Sequence, residues 1–109
     1  MGWNKISGKM VALDNDRGLK VEYEVANDAP PAYEKLIVHE SDGIDGINQI
    51  AIVKGAEIYE IGFDFGIKTK EEAVAFLKKY KDALCEIPEI KEFVENTYKS
   101  ITEKQGAKA

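Results

Sequence analysis

The sequence predicts an α+β fold, in which an antiparallel sheet of about five strands (residues 4–66) precedes two C-terminal helices packed on one sheet face. Apolar residues alternate with charged ones at Leu19, Val21 and Tyr23, which is the period of a strand. After Thr69 the apolar residues recur every three or four positions, which is the period of a helix. With 109 residues, 44% of them hydrophobic, the chain is expected to form one α+β domain over residues 1–109.

The first two strands are expected to form a hairpin. Residues 6–13 lead into the segment 14–18, which is rich in Asp, Asn and Gly, and an alternating strand follows over residues 19–25. These residue types tolerate turn geometry. The spacing of Asp14 and Asp16 also resembles the start of a calcium-binding loop, but Val25 stands where an EF-hand loop ends in Glu. The segment is therefore predicted to be a turn.

The third strand is predicted over residues 34–40. Its alternation places Leu36 and Val38 on one face and Ile37 and His39 on the other. Apolar residues on both faces indicate a strand that is covered on both sides, or an edge that meets a partner.

The most strand-like stretch covers residues 48–65, with a tight turn near Gly55. Its second arm aligns four large apolar residues on one face, namely Tyr59, Ile61, Phe63 and Phe65. This alignment predicts a core strand. Gly62 and Gly66 on the opposite face indicate either a bulge or a place where another backbone approaches closely.

A capping box marks the start of the first helix. The Thr69 hydroxyl is expected to accept a hydrogen bond from the Glu72 amide, while the Glu72 carboxylate reaches back to the Thr69 amide. This helix is predicted over about 70–85, and Pro88 begins a second helix over about 88–104. The second helix has apolar residues at near-heptad spacing. This spacing favours packing on its own sheet, with pairing to another chain as the alternative.

The formal charge of −5 is concentrated in the middle of the chain. Residues 26–66 contain two lysines and eight carboxylates, a sum of −6, whereas the flanking segments are nearly neutral. Phosphate binding relies on clustered Lys and Arg, so this distribution disfavours nucleic acid and anionic membranes as partners. No apolar run approaches the roughly 20 residues of a membrane span, and a single cysteine fits a reducing compartment. We therefore expect a cytoplasmic protein.

The sequence shows no catalytic motif. His39 lies in an extended segment where adjacent residues point to opposite faces, so it cannot form a triad with Glu40 and Ser41. Cys85 falls at a helix C-terminus, where the dipole disfavours a thiolate. The carboxylates near His39 lack the second His or Cys that a zinc site requires. We expect no catalytic residue, no metal and no cofactor, which favours a non-enzymatic protein.

The expected function is that of a small acidic interaction protein, acting as a binding, inhibitor or accessory protein that recognises another macromolecule. If the helices cover one sheet face, carboxylates of the sheet region lie on the other face or its edges, where they steer a basic partner. The candidate interaction residues are Glu57, Glu60, Asp64, Glu40, Asp42 and Asp45. A protein partner is expected, and homo-oligomerisation is an alternative.

Two other functions remain open. Basic residues lie near aromatic ones in the N-terminal segment: Lys5, Lys9, Arg17 and Lys20 near Trp3 and Tyr23. With the order of sheet then helix, this outline is similar to Whirly-type single-stranded nucleic-acid-binding domains, which implies a basic and aromatic sheet surface. The other alternative is a small enzyme, for which a pocket joining His39 to Asp42 or Asp64 would be the sign.

Overall fold

A computed structural model of the chain contains five strands followed by two helices, as the sequence predicts. The structure describes residues 4–13, 16–26, 33–55 and 58–107. The strands are β1 (Asn4–Ala12), β2 (Gly18–Ala26), β3 (Tyr33–Ser41), β4 (Gly46–Gly55) and β5 (Ile58–Phe65). The helices are α1 (Lys70–Cys85) and α2 (Pro88–Ala107). Each strand pairs antiparallel with the next, in the order β1-β2-β3-β4-β5.

One face of the sheet forms the core with both helices. The inner strands contribute fully or almost fully buried side chains at alternate positions: Leu19, Val21, Leu36, Val38, Ile50 and Ile52. From α2, the Phe93 ring lies 5.6 Å from the Tyr23 ring and 5.8 Å from the Tyr59 ring, so it bridges β2 and β5. The predicted packing of both helices on one sheet face is confirmed.

The start of α1 differs in one contact from the predicted capping box. The Glu72 amide donates to the Thr69 hydroxyl at 3.1 Å, as expected. The Glu72 carboxylate, however, accepts from the Lys68 amide at 3.0 Å instead of the Thr69 amide. The side chain thus satisfies a donor one residue before the cap.

The apolar seam of α2 is directed into its own chain. Ile90 and Val94 are fully buried and belong to the same core cluster as the sheet residues. Thr97 is also buried, and its hydroxyl donates to the Phe93 carbonyl at 2.7 Å. The interpretation that this seam packs within the chain is confirmed, and the helix continues to Ala107, beyond the predicted end near residue 104.

β5 is an edge strand, so the prediction of a core strand was wrong for its C-terminal part. Phe63 and Phe65 remain 41% and 44% exposed, because an edge strand has a neighbour on one side only. Phe65 adopts a positive φ of 62°, and its ring lies 5.2 Å from that of His39. The prediction for Gly66 is confirmed: its amide donates to the Ile47 carbonyl at 2.8 Å, and a Cβ would come within 2.7 Å of that oxygen.

Candidate functional site

The sheet face opposite the helices carries side chains in cross-strand rows that the pairing register defines, and three consecutive rows span all five strands. We call it the uncovered face. One row holds Lys5, Glu24, Lys35, Val53 and Glu60; the next holds Gly8, Glu22, Ile37, Ala51 and Gly62; the third holds Met10, Lys20, His39, Gln49 and Asp64. Both outer rows therefore end in a carboxylate on β5, and the middle row ends there in a glycine.

Carboxylates on the uncovered face fall into two groups. On β2, Glu22 forms an ion pair with Lys5 at 2.5 Å, and Glu24 forms one with Lys35 at 3.2 Å. The hydrogen bond from Lys5 lowers the pKa of Glu22 below its usual value.

The second group is on β5. Glu60 and Asp64 are exposed, and neither forms an ion pair with any cation of the described ranges. Asp64 accepts a local hydrogen bond from the Phe65 amide at 2.8 Å. The uncompensated negative charge of the uncovered face is therefore located along its β5 edge.

The remaining predicted interaction residues lie elsewhere. Glu57 is outside the described residues. Asp42 and Asp45 lie in the exposed loop between β3 and β4, where the Asp42 carboxylate accepts from the amides of Ile44 at 3.0 Å and Asp45 at 2.7 Å. These hydrogen bonds lower the pKa of Asp42, so this carboxylate shapes its own loop.

Glu40 lies on the opposite side of the sheet from Glu60 and Asp64 and is only 1% exposed. Its carboxylate accepts from the Tyr80 hydroxyl at 2.8 Å and from the side-chain amide (Nδ2) of Asn48 at 2.8 Å, and it pairs with Arg17. A buried carboxylate with three donors is a structural group, and it is not available to a partner. In the sequence, Glu40 stands two residues after Val38 and four after Leu36, so the strand period places it on the same core-facing side.

A small recess of about 190 Å³ lies beside Glu60. Tyr33, Val53, Gly55 and Ile58 line it together with the Glu60 side chain. The recess exists because the Tyr33 ring lies over Gly55, where an added Cβ would come within 2.3 Å of a ring carbon. The sequence places Tyr33 on no predicted core face, but the recess could not be predicted, since the pairing of Tyr33 with Gly55 depends on the register between β3 and β4.

Among the residues that the structure describes, His39 does not share a pocket with Asp42 or Asp64, the arrangement that would indicate an enzyme. Its Nδ1 lies 3.1 Å from Oε1 of Gln49, the residue that separates it from Asp64 in their row. A cleft of about 910 Å³ between two turns is lined by Asp42 and Arg17 but not by His39. Across the described ranges, no group of three or more His, Cys, Asp or Glu residues could hold a metal ion.

Most of the residues named for nucleic-acid binding contact carboxylates. Arg17 pairs with Glu40, and Lys9 lies 3.9 Å from Glu89. The Tyr23 hydroxyl donates to Glu34 at 2.5 Å, and burial raises the pKa of Tyr23. With Lys5 paired to Glu22, three of the four cations named for this function contact a carboxylate. Trp3 lies outside the described residues.

No protein-family model, curated protein or solved structure matches this chain. In the part of the chain that the structure describes, neither helix is both long enough and apolar enough to cross a membrane.

Proposed function

We propose that this chain is a non-enzymatic interaction protein that binds a basic segment of another protein along β5. One observation carries the proposal. Glu60 and Asp64 are exposed on the same sheet face and form no ion pair with any described residue, whereas Glu22 and Glu24 each form an ion pair with a lysine. A partner with Lys or Arg supplies the missing charge.

The position of these carboxylates favours recognition. They lie on a strand whose pairing with β4 is regular from Ile58 to Phe65. Exposed apolar side chains lie on the same strand: Ile58, on the same face as the carboxylates, is 57% exposed, and Phe63, on the helix side, is 41% exposed. Charges of this kind steer an encounter, and neighbouring apolar area then contributes to affinity.

The experiment compares three forms of the full chain as bait at low and high salt. These are the native chain, the variant E60Q/D64N and the matched control D82N/E95Q, which removes the same charges from exposed helix positions. Captured proteins are quantified by mass spectrometry, and the strongest is purified and titrated against each bait.

The expected result is a partner that binds the native chain and D82N/E95Q equally and E60Q/D64N more weakly, with affinity that falls as salt rises. Equal binding to all three forms would overturn the proposal. So would retention of single-stranded DNA or RNA that depends on Lys5 and Lys20 and falls steeply with salt.

A further inference from the structure

The two edges of the sheet are built differently. β1 contains a register shift between Lys5 and Ser7, and lysines follow its length. Bulges and lysines are devices that prevent another strand from pairing with an edge. β5 has no register shift against β4, and no lysine interrupts it. β5 is therefore the edge at which a further strand can continue the sheet.

Gly62 at the centre of β5 is not explained by contacts with the residues that the structure describes. Its φ lies outside the left-handed region, and the continuous register of β5 excludes a bulge. Among the described atoms, an added Cβ would meet only the Ala51 carbonyl oxygen, at 3.8 Å, which is an ordinary van der Waals contact. Gly66, by contrast, is required by the close approach of Ile47. A strand glycine without an internal cause marks a place where an external group approaches closely.

The recess beside Glu60 has the chemistry of a site for a Lys or Arg side chain. Val53 and Ile58 offer apolar contact to an alkyl stem, and the Tyr33 ring and Glu60 carboxylate lie at the same recess. Long cationic side chains bind in this way, with the stem on apolar surface and the charge beside a carboxylate or an aromatic ring.

We propose that β5 binds its partner by strand addition, a proposal that rests on the function proposed above. The occupant is an extended segment of another protein with Lys or Arg at two positions four residues apart. Four residues of an extended strand span about 13 Å, so Glu60 and Asp64 are about this far apart, and two cations four residues apart in an extended partner have the same separation. The residue midway between the cations lies over Gly62.

The alternate positions of the bound segment face the helix side of the sheet. There they contact Ile61 and the exposed part of Phe63, which favours apolar residues. The recognised pattern is therefore basic, apolar, large, apolar, basic. Backbone hydrogen bonds to β5 supply affinity, and the side-chain pattern supplies specificity.

A second copy of this chain fits β5 less well than a basic segment. Antiparallel self-pairing centred on Gly62 would place Glu60 of one copy opposite Asp64 of the other, twice. Like charges directly opposite each other destabilise a strand pair. The negative charge of β5 thus favours a basic partner and disfavours pairing with β5 of a second copy.

The test uses the peptide Lys-Val-Tyr-Val-Lys, capped at both ends and flanked by Gly-Ser, titrated into the isotopically labelled full chain at low salt. Two further peptides carry N-methyl groups on one or the other alternate set of amides, since only one set can face β5. A fourth peptide replaces both lysines with Glu. Amide shifts locate the binding, and light scattering reports the oligomeric state.

We expect saturable shifts on β5 and not on β1, and loss of binding for one methylated peptide but not the other. E60Q/D64N should weaken binding about tenfold, because it removes two opposite-charge pairs, while D82N/E95Q should not. G62V should keep the fold, since space is open at that position, and should weaken binding by covering the contact made by the central Tyr. The Glu peptide should not bind.

Three outcomes would overturn strand addition. If both methylated peptides bind as well as the parent and E60Q/D64N still weakens their binding, the carboxylates recognise the peptide but the peptide does not pair with β5 as a strand. If no peptide gives saturable shifts, the recognised pattern fails, and the bait experiment alone decides the proposed function. If dilution dissociates a dimer of this chain and the accompanying amide shifts map to β5, the strand that pairs with β5 comes from a second copy.

Discussion

The hydroxyl of Tyr80 on α1 donates a 2.8 Å hydrogen bond to the buried carboxylate of Glu40 on β3. Arg17, just before β2, contacts both groups: it pairs with Glu40 and donates to the Tyr80 oxygen at 3.0 Å. This cluster joins the first helix to the sheet through a charged group in the core. Its residues are 40 and 63 positions from Tyr80 in sequence, so it forms only when the whole fold is assembled.

Replacing Tyr80 with Phe removes the hydroxyl and retains the ring that packs on Phe76. We expect a loss of about 1–2 kcal/mol in the free energy of unfolding, because the hydroxyl bonds to a charged, buried acceptor. Urea unfolding followed by circular dichroism measures this loss. The matched control is Tyr33→Phe, at a 43% exposed position, which should change stability little. Equal effects of the two variants would contradict the role given to the Tyr80 hydroxyl.

The two sides of the Arg17–Glu40 pair should differ in their response to mutation. Arg17→Met leaves a buried carboxylate without its cation and should cost about 3–5 kcal/mol, whereas Glu40→Gln should cost about 1–3 kcal/mol. The reason is that the Arg17 side chain is 36% exposed and remains hydrated, while that of Glu40 is 2% exposed. Unfolding of both single variants and of the double variant measures the coupling free energy. Additive losses would show that the pair does not act as a unit.

The α1 cap gives a third prediction. Thr69→Ala removes the acceptor of the Glu72 amide and should lower the free energy of unfolding by about 1 kcal/mol. Thr69→Ser keeps the hydroxyl and should be nearly neutral, and thus serves as the control. Chemical denaturation measures both variants. A Ser variant as unstable as the Ala variant would indicate that the methyl group, and not the cap, is responsible.

Cys85 should react slowly with alkylating reagents. Burial raises the pKa of its thiol, which lowers the thiolate fraction at any pH below that value, and the thiolate is the reacting species. The iodoacetamide reaction should therefore be slower than that of the unfolded chain at pH 8, and its rate profile should be displaced to higher pH. Mass spectrometry of timed samples, with the urea-unfolded chain as reference, measures both. Faster reaction in the folded chain would contradict the prediction.

Much of the fold could be read from local patterns. The period-2 alternation of β2 and β3 and the helical period of α1 identify the elements and the faces that they bury. The same alternation puts Glu40 on the core side with Leu36, although its charge suggested a surface position. Desolvating a carboxylate is unfavourable unless donors surround it, and those donors come from three separate segments, at Arg17, Asn48 and Tyr80.

The candidate site was only partly accessible to sequence analysis. Glu60 and Asp64 could be assigned to the uncovered face from their alternation with Ile61 and Phe63. The lysines that neutralise Glu22 and Glu24 could not be assigned, because each pair joins different strands through the register. The recess at Tyr33 has the same origin, since it depends on which residue of β4 faces that ring.

Local sequence patterns were enough to predict which segments form strands and helices, the Thr69 cap, the buried seam of α2 and the excess of carboxylates in the sheet region. These properties depend on residues close in the chain, where backbone geometry relates spacing to direction. The assembled fold was needed to establish that β5 is an edge strand, that Glu40 is buried, and that Glu60 and Asp64 form no ion pair within the described residues. Strand neighbours and ion pairs are contacts between distant residues, and the register of the assembled sheet sets them.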